Sequence, residues 1–408
     1  MPVRSKNVSA LKAGYLFPEI ARLRREFAAK NPDKKIISLG VGNTTEPLLP
    51  HTCEGLVEGA KKLGDAKTYS GYADEGFSEL RGAISRVFYN DTFAADEIFI
   101  SDGAKCDIGR LQLLFGSSVK PVVQDPSYPV YVDGSVLHGA AGRRISSCDG
   151  PDCDDTRYGG IEYLPCTPEN NFFPDLSQIP YNSLIYFCSP NNPTGAVASK
   201  GQLAALVAAA KRTNSIIIFD AAYSEYIRDP SLPKTIFEIS SAKTCAIEVN
   251  SFSKHAGFTG VRLGWTVVPK ELLYSGGESV NADWSRVQST IFNGASNIAQ
   301  WGALAALDDA GRTEIKTLTD FYLGNAALIR KALQVLHITC YGGENSPYIW
   351  AHFPGRGSWD VFNEFLEKKH IVTTPGVGFG PEGESFIRFS AFGHRDDVIE
   401  ACNRLVKV

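Results

Sequence analysis

Residues 245–269 read CAIEVNSFSKHAGFTGVRLGWTVVP. The two runs at its ends, CAIEVNSF and LGWTVVP, read as strands. Between them a polar, glycine-bearing turn carries Ser251, Ser253, Lys254 and Arg262. A lysine directly after a buried strand is badly placed for a solvated face. Its amine calls for a chemical explanation.

Working outward, the same rhythm repeats. EIFIS (97–101) leads into GAKCDIGRLQLLF, where Ile108, Leu111, Leu114 and Phe115 follow a helical stripe. PVVQD (121–125), SLIYFCSP (183–190) and SIIIFD (215–220) read as buried strands, and KGQLAALVAAAKRT between the last two reads as a helix. This alternation predicts a large α/β domain with a mostly parallel sheet. Chemistry in such sheets gathers at the carboxyl ends of strands, where SPNNPTG, the Asp220 turn and SFSK all fall. After residue 286 helices near 297–310 and 313–335 precede short strands at YIWAHF, IVTT and SFIRFSAF, with helices at 358–369 and 395–406. The expected organisation is an N-terminal segment (1–47) packed with a smaller α+β C-terminal domain (287–408), around a large domain at 48–286.

The bulk numbers narrow the function. The 408 residues are 43% apolar and 21% charged, with a formal net charge of −4 and no basic stripe. Nucleic acid is therefore not an expected partner. Nine scattered cysteines, odd in number and without a CxxC, argue against a disulfide framework or a metal site and for a reducing compartment. Cys148 and Cys153 in SSCDGPDCDD are expected in a surface loop. No run of about 18 apolar residues predicts a membrane span. The expected location is the cytoplasm, or the plastid stroma if a transit peptide preceded Met1.

Taken singly, the polar segments are ordinary turn chemistry. Together they fit one cofactor. A phosphate needs the helix start after Asp102, hydroxyls from Ser251 and Ser253, and the charge of Arg262. A protonated pyridine nitrogen needs a buried carboxylate such as Asp220. A phenolate oxygen needs donors, which Tyr223 and Asn192 can supply. An aldehyde needs an amine, and Lys254 is that amine. The cofactor so described is pyridoxal 5′-phosphate. A nicotinamide oxidoreductase fits poorly, because ISLGVGNTTEP has only part of a GxGxxG pattern and runs into proline-rich chain rather than a helix.

With Tyr128 in DPSYPVY, Asn192 in NNPTG, Asp220 with Tyr223, then SFSK, Arg262 and Arg388 in that order, the chain resembles the fold-type I, class I/II aminotransferases almost end to end. The resemblance implies a large domain built on a mostly parallel, seven-stranded-type sheet. It implies that Lys254 anchors the cofactor and moves a proton at the substrate Cα, with Asp220 and Tyr223 beside it. Ala104, Lys105, Tyr128, Asn192, Ser251, Ser253 and Arg262 would complete the cofactor site, Tyr128 by stacking on the ring. Arg388 would bind the substrate α-carboxylate bidentately.

The segments SLGVGNTTEPLLP, YSGYADEGFSELR, SDGAKCDIGRLQLLFG, FNGASNIAQ and TTPGVGFGP are similar to the subgroup of LL-diaminopimelate aminotransferases. That resemblance implies ping-pong transfer between glutamate/2-oxoglutarate and tetrahydrodipicolinate/LL-2,6-diaminoheptanedioate, in lysine biosynthesis. The runner-up is an aspartate or aromatic aminotransferase of broader specificity. Tyr15, Gly40, Glu75, Lys105 and Asn293 would line the substrate pocket, with Tyr128, Asn192 and Arg388. Tyr72 would reach the phosphate. Tyr72, Glu75 and Asn293 would cross from a partner subunit, making the working unit a homodimer. Asn43 stands where the subgroup carries aspartate, and YADEGF replaces its usual YGAEQG.

Overall fold

The computed structural model describes residues 1–11, 16–145 and 157–407. Its centre is a seven-stranded sheet of β1 (Ile98–Ser101), β2 (Lys120–Asp125), β3 (Glu162–Pro165), β4 (Ser183–Cys188), β5 (Ile216–Asp220), β6 (Ala246–Ser251) and β7 (Gly264–Val267). The spatial order is β1-β7-β6-β5-β4-β2-β3. β3, β2, β4, β5 and β6 pair in parallel, while β7 runs antiparallel to both β6 and β1. The architecture is the mostly parallel α/β sheet that the alternation of elements predicts. The short edge strand β3, with only one of its four residues buried, lacks the continuous apolar run of the others.

Parallel neighbours need a crossover, and the helix Lys200–Arg212 supplies it between β4 and β5. Ser199 caps its start by accepting from the Gln202 N–H, and Gln202 Oε1 accepts from the Ser199 N–H at 2.8 Å. Leu203, Leu206, Val207 and Ala210 turn inward against Ile185, Phe187 and Ile217. Covered on both faces, β4 to β6 are buried at nearly every position; β4 and β5 read as near-continuous apolar runs, while β6 also buries Glu248 and Asn250.

Cys340–Gly342, Tyr348–His352, Phe386–Ser390 and Thr374–Pro375 form a four-stranded antiparallel sheet in that spatial order. Its core holds Ile349, Trp350, Ile387 and Phe389, together with Leu16, Ile20, Ile37 and Leu39 from the N-terminal segment. Ile37 and Ser38 pair in parallel with Ile371 and Val372. The helix Asn297–Leu307 buries Ala299, Ala303 and Ala306 in the large-sheet core.

Candidate active site

Six strands of the large sheet end at one edge, and the chain after β1, β2, β4, β5 and β6 delivers polar groups to it. The pairing register fixes their relative places. Ser101 and Ser251 both lie opposite Gly264, on either side of β7, and Cys188 and Val249 both lie opposite Asp220 on β5. Because β7 runs backwards, its first residues start at the same edge, so Arg262 arrives beside Ser253. A cavity of about 770 Å³ opens over this edge. It is walled on the other side by Gly40, Tyr348, Thr374 and Arg388, and roofed by the helix Leu16–Lys30.

One corner of the cavity is built for an anion. The helix Ala104–Phe115 begins after Gly103, whose φ of 128° suits glycine, and no side chain caps it. Ala104 and Lys105 at its start border the same cavity as Ser251, Ser253 and Arg262, whose Nη1 donates to Ser253 Oγ at 3.2 Å. A Cβ on Gly103 would lie 2.6 Å from Arg262 Nη2, and one on Gly264 would lie 2.9 Å from the Gly103 Cα. Helix start, two hydroxyls and a guanidinium form a donor set that suits a dianionic phosphate.

Lys254 is half-buried on the turn after β6. Its Nζ donates to the Gly42 carbonyl and lies 5.6 Å from the centre of the Phe392 ring. Burial lowers its pKa to about 8, helped by the positive charges of Arg388 and Arg262 and opposed by Asp220. The amine therefore has an appreciable neutral fraction near physiological pH. Asp220 is buried at the end of β5, and burial pushes its carboxyl up. The Tyr131 hydroxyl (2.7 Å), the Ala222 N–H (3.0 Å) and the Lys254 charge pull it back. No cation among the described residues makes an ion pair with it, so a protonated heterocyclic nitrogen brought to this carboxylate would meet an uncompensated charge.

Arg388 is 1% exposed in the middle of its strand. Its Nη1 donates to Asn192 Oδ1 at 2.7 Å and its Nη2 to the Gly40 carbonyl at 2.5 Å. The guanidinium also sits over the Tyr348 ring at 4.5 Å. Gly40 is drawn in by the pairing of 37–38 with 371–372; a Cβ there would lie 2.3 Å from the Thr373 carbonyl oxygen. A fixed, planar cation with aromatic support is suited to a carboxylate.

Ala104, Lys105, Tyr128, Asn192, Asp220, Tyr223, Ser251, Ser253, Lys254, Arg262, Gly40 and Arg388 all line this cavity, as does Asn43. Tyr72, Glu75 and Asn293 do not. Tyr72 is 84% exposed, Asn293 is exposed, and Glu75 turns to Arg81 and Ser285. Tyr15, Cys148 and Cys153 lie outside the described residues. Sequence reasoning missed Tyr131, which bonds Asp220, and Tyr348, whose hydroxyl meets that of Tyr223 at 2.8 Å. Tyr131 stands three residues after Tyr128, at the start of the helix Val130–Leu137, and that nearness in sequence is the signal that could have found it.

Relatives share this architecture. An Arabidopsis thaliana protein named LL-diaminopimelate aminotransferase, chloroplastic, is 53% identical over 98% of this chain and 86% of its own length. One of the same enzyme name from Protochlamydia amoebophila (strain UWE25) is 49% identical over 99% and 97%. The solved L,L-diaminopimelate aminotransferase from Chlamydomonas reinhardtii is 53% identical, covers 99% of this chain and 98% of that one, and superposes with a TM-score of 0.93. The sequence pattern of "Aminotransferase class I and II" matches residues 34–405, an interval that holds every described cavity residue discussed here except those of the N-terminal helix. The chain belongs to the class I and II aminotransferases, a pyridoxal-phosphate-dependent family.

Proposed function

We propose that this chain moves an amino group between LL-2,6-diaminoheptanedioate and 2-oxoglutarate. Glutamate is one product; the other, the keto acid left from the diamino acid, closes on its remaining amine with loss of water to tetrahydrodipicolinate. In the biosynthetic direction the same steps, reversed, serve lysine formation. The observation that carries this is one cavity holding a lysine amine poised near neutrality, a buried carboxylate and a buried arginine. Full-length identity to the named relatives supports the choice of substrate.

Pyridoxal phosphate, when bound, supplies an electron sink conjugated to the substrate's amino nitrogen. The phosphate would rest on the first N–H groups of the Ala104–Phe115 helix, Ser251, Ser253 and Arg262. Asp220 would hold the ring nitrogen protonated, Tyr223 and Asn192 would donate to the phenolic oxygen, and Tyr128 would cover the ring. Lys254 is the covalent anchor. Displaced by substrate, it would become a free amine that takes the proton from Cα as base and delivers it, as acid, to the cofactor's C4′ carbon. Arg388 and Asn192 hold the α-carboxylate and so decide which bond at Cα faces Lys254.

The charge of the cavity supports a homodimer. Among the described cavity residues Asp220 is the one carboxylate, against Arg24, Arg25, Lys105, Lys254, Arg262 and Arg388. With Asp220 committed to the ring, the distal ammonium of the substrate needs a carboxylate from elsewhere. Glu75 of a second copy is the group we assign, with Tyr72 and Asn293 crossing beside it and Lys105 and Tyr15 facing the distal carboxylate. No described helix is long and apolar enough to cross a membrane; the compartment we assign is a reducing one, the plastid stroma or cytoplasm. Initial rates at several fixed concentrations of 2-oxoglutarate, varying LL-diaminopimelate, test the function. Parallel double-reciprocal lines with equimolar glutamate support it; intersecting lines, or turnover of aspartate or phenylalanine alone, contradict it.

A further inference from the structure

Glu75 has both carboxylate oxygens engaged within its own chain. Oε2 accepts from Arg81 Nη1 at 2.8 Å, and Oε1 accepts from Ser285 Oγ at 2.9 Å. The three side chains meet at a second cavity of about 350 Å³, also lined by Ala73, Asp74 and Gly76. Arg81 is the better buried partner, with its side chain 14% exposed against 37% for Glu75.

The backbone beneath is held as firmly. The Glu75 carbonyl accepts from the Ile100 N–H of β1 at 2.9 Å, which ties the turn to the central sheet. Gly76 has a φ of 98°, and a Cβ there would lie 2.2 Å from Ile100 Cγ1. Phe77 N–H donates to the buried Gln300 Oε1 at 2.7 Å. On the other side Gly294 packs so closely that its Cβ would lie 2.2 Å from the Ala73 carbonyl oxygen. The Glu75 turn and the Asn293 segment therefore form one unit.

We propose that Arg81 and Ser285 are positioning residues that fix the Glu75 carboxylate and thereby set preference for a substrate with a cationic distal group. This rests on the assignment of Glu75 to the distal ammonium. A glutamate side chain free to rotate must be ordered by each substrate, whereas one clamped by a guanidinium and a hydroxyl is preorganised. A carboxylate offers about four lone-pair sites, so the two contacts leave acceptor capacity for an ammonium. Glutamate as substrate has no distal ammonium and gains nothing from the clamp. The reading thus separates the two amino donors of one enzyme.

The test uses holoenzyme carrying Arg81→Met, Arg81→Lys, Ser285→Ala or Glu75→Ala, and the double variant E75A/R81M. KM and kcat are measured with LL-diaminopimelate and with glutamate as amino donor, beside sedimentation and cofactor absorbance as controls. Arg81→Met should raise KM for LL-diaminopimelate about tenfold, as expected for a lost charged hydrogen bond, and leave the glutamate value unchanged. Arg81→Lys should recover part of the loss, Ser285→Ala should cause a smaller one, and Arg81→Met should add nothing to Glu75→Ala. Equal losses with both donors would overturn the proposal, as would an impaired Glu75→Ala enzyme beside an unimpaired Arg81→Met. If Glu75→Ala itself handles LL-diaminopimelate normally, the assignment of Glu75 fails, and the clamp with it.

Discussion

The Tyr131 hydroxyl donates to Asp220 Oδ2 at 2.7 Å, and the Tyr131 ring stacks on Tyr186 with centroids 5.2 Å apart. The stack holds the phenol in place, so the carboxylate keeps a donor in the cavity wall. Burial alone would push Asp220 towards its neutral form, which could not hold a protonated ring nitrogen. Tyr131 opposes that. In Tyr131→Phe the Asp220 carboxyl should rise further, and affinity for pyridoxal phosphate should fall about tenfold, the scale of one hydrogen bond to a charged group. A fluorescence titration of the apo-protein measures it. Unchanged affinity would remove Tyr131 from the site.

Lys254 should control how fast the cofactor is taken up. Only the neutral amine attacks an aldehyde, and its pKa is lowered to about 8. A lysine with a lowered pKa gains its reactive form as pH rises, so the uptake rate should climb from pH 6.5 through a midpoint near 8 and level off about one unit above it. Stopped-flow absorbance reads the midpoint. A rate still rising steeply at pH 10 would place the amine at its ordinary value and refute the electrostatic account.

Arg388 makes two contacts that a lysine cannot make together, to Asn192 Oδ1 and to the Gly40 carbonyl, while lying over Tyr348. Arg388→Lys should raise KM for every amino-acid substrate by about 100-fold, the upper range for a buried charged pair, with cofactor absorbance retained. A change in KM for LL-diaminopimelate alone would instead place Arg388 at the distal end.

The proposed sharing of active sites predicts complementation. Lys254→Ala and Glu75→Ala subunits are each defective, but a mixed dimer holds one site with both native residues. Random reassembly makes about half the dimers mixed, so activity on LL-diaminopimelate should return to about a quarter of the native value. No recovery, with exchange verified by mass, would mean that both residues serve the same subunit's site.

Most of the cofactor half of the site was legible because β4, β5 and β6 are buried on both faces. Their apolar runs stop abruptly at Cys188, Asp220 and Ser251, so the polar residues that follow stand out. Tyr131 was hidden because a buried tyrosine in PVYVDG looks like packing, and only the fold shows its hydroxyl aimed at Asp220. Tyr348 was hidden likewise inside the strand YIWAH. The reversed direction of β7 could not be read at all, since a buried strand has the same pattern whichever way it runs. Tyr72, Glu75 and Asn293 are a different case: they stand outside the cavity of their own chain, and only the proposed dimer would bring them to a site.

The most direct measurement is the absorbance spectrum of the yellow holoenzyme during addition of LL-diaminopimelate with no keto acid present. The account predicts that the colour due to cofactor joined to Lys254 fades in proportion to enzyme, and that 2-oxoglutarate restores it. A spectrum unmoved by LL-diaminopimelate but bleached by aspartate or phenylalanine would contradict the assigned substrate.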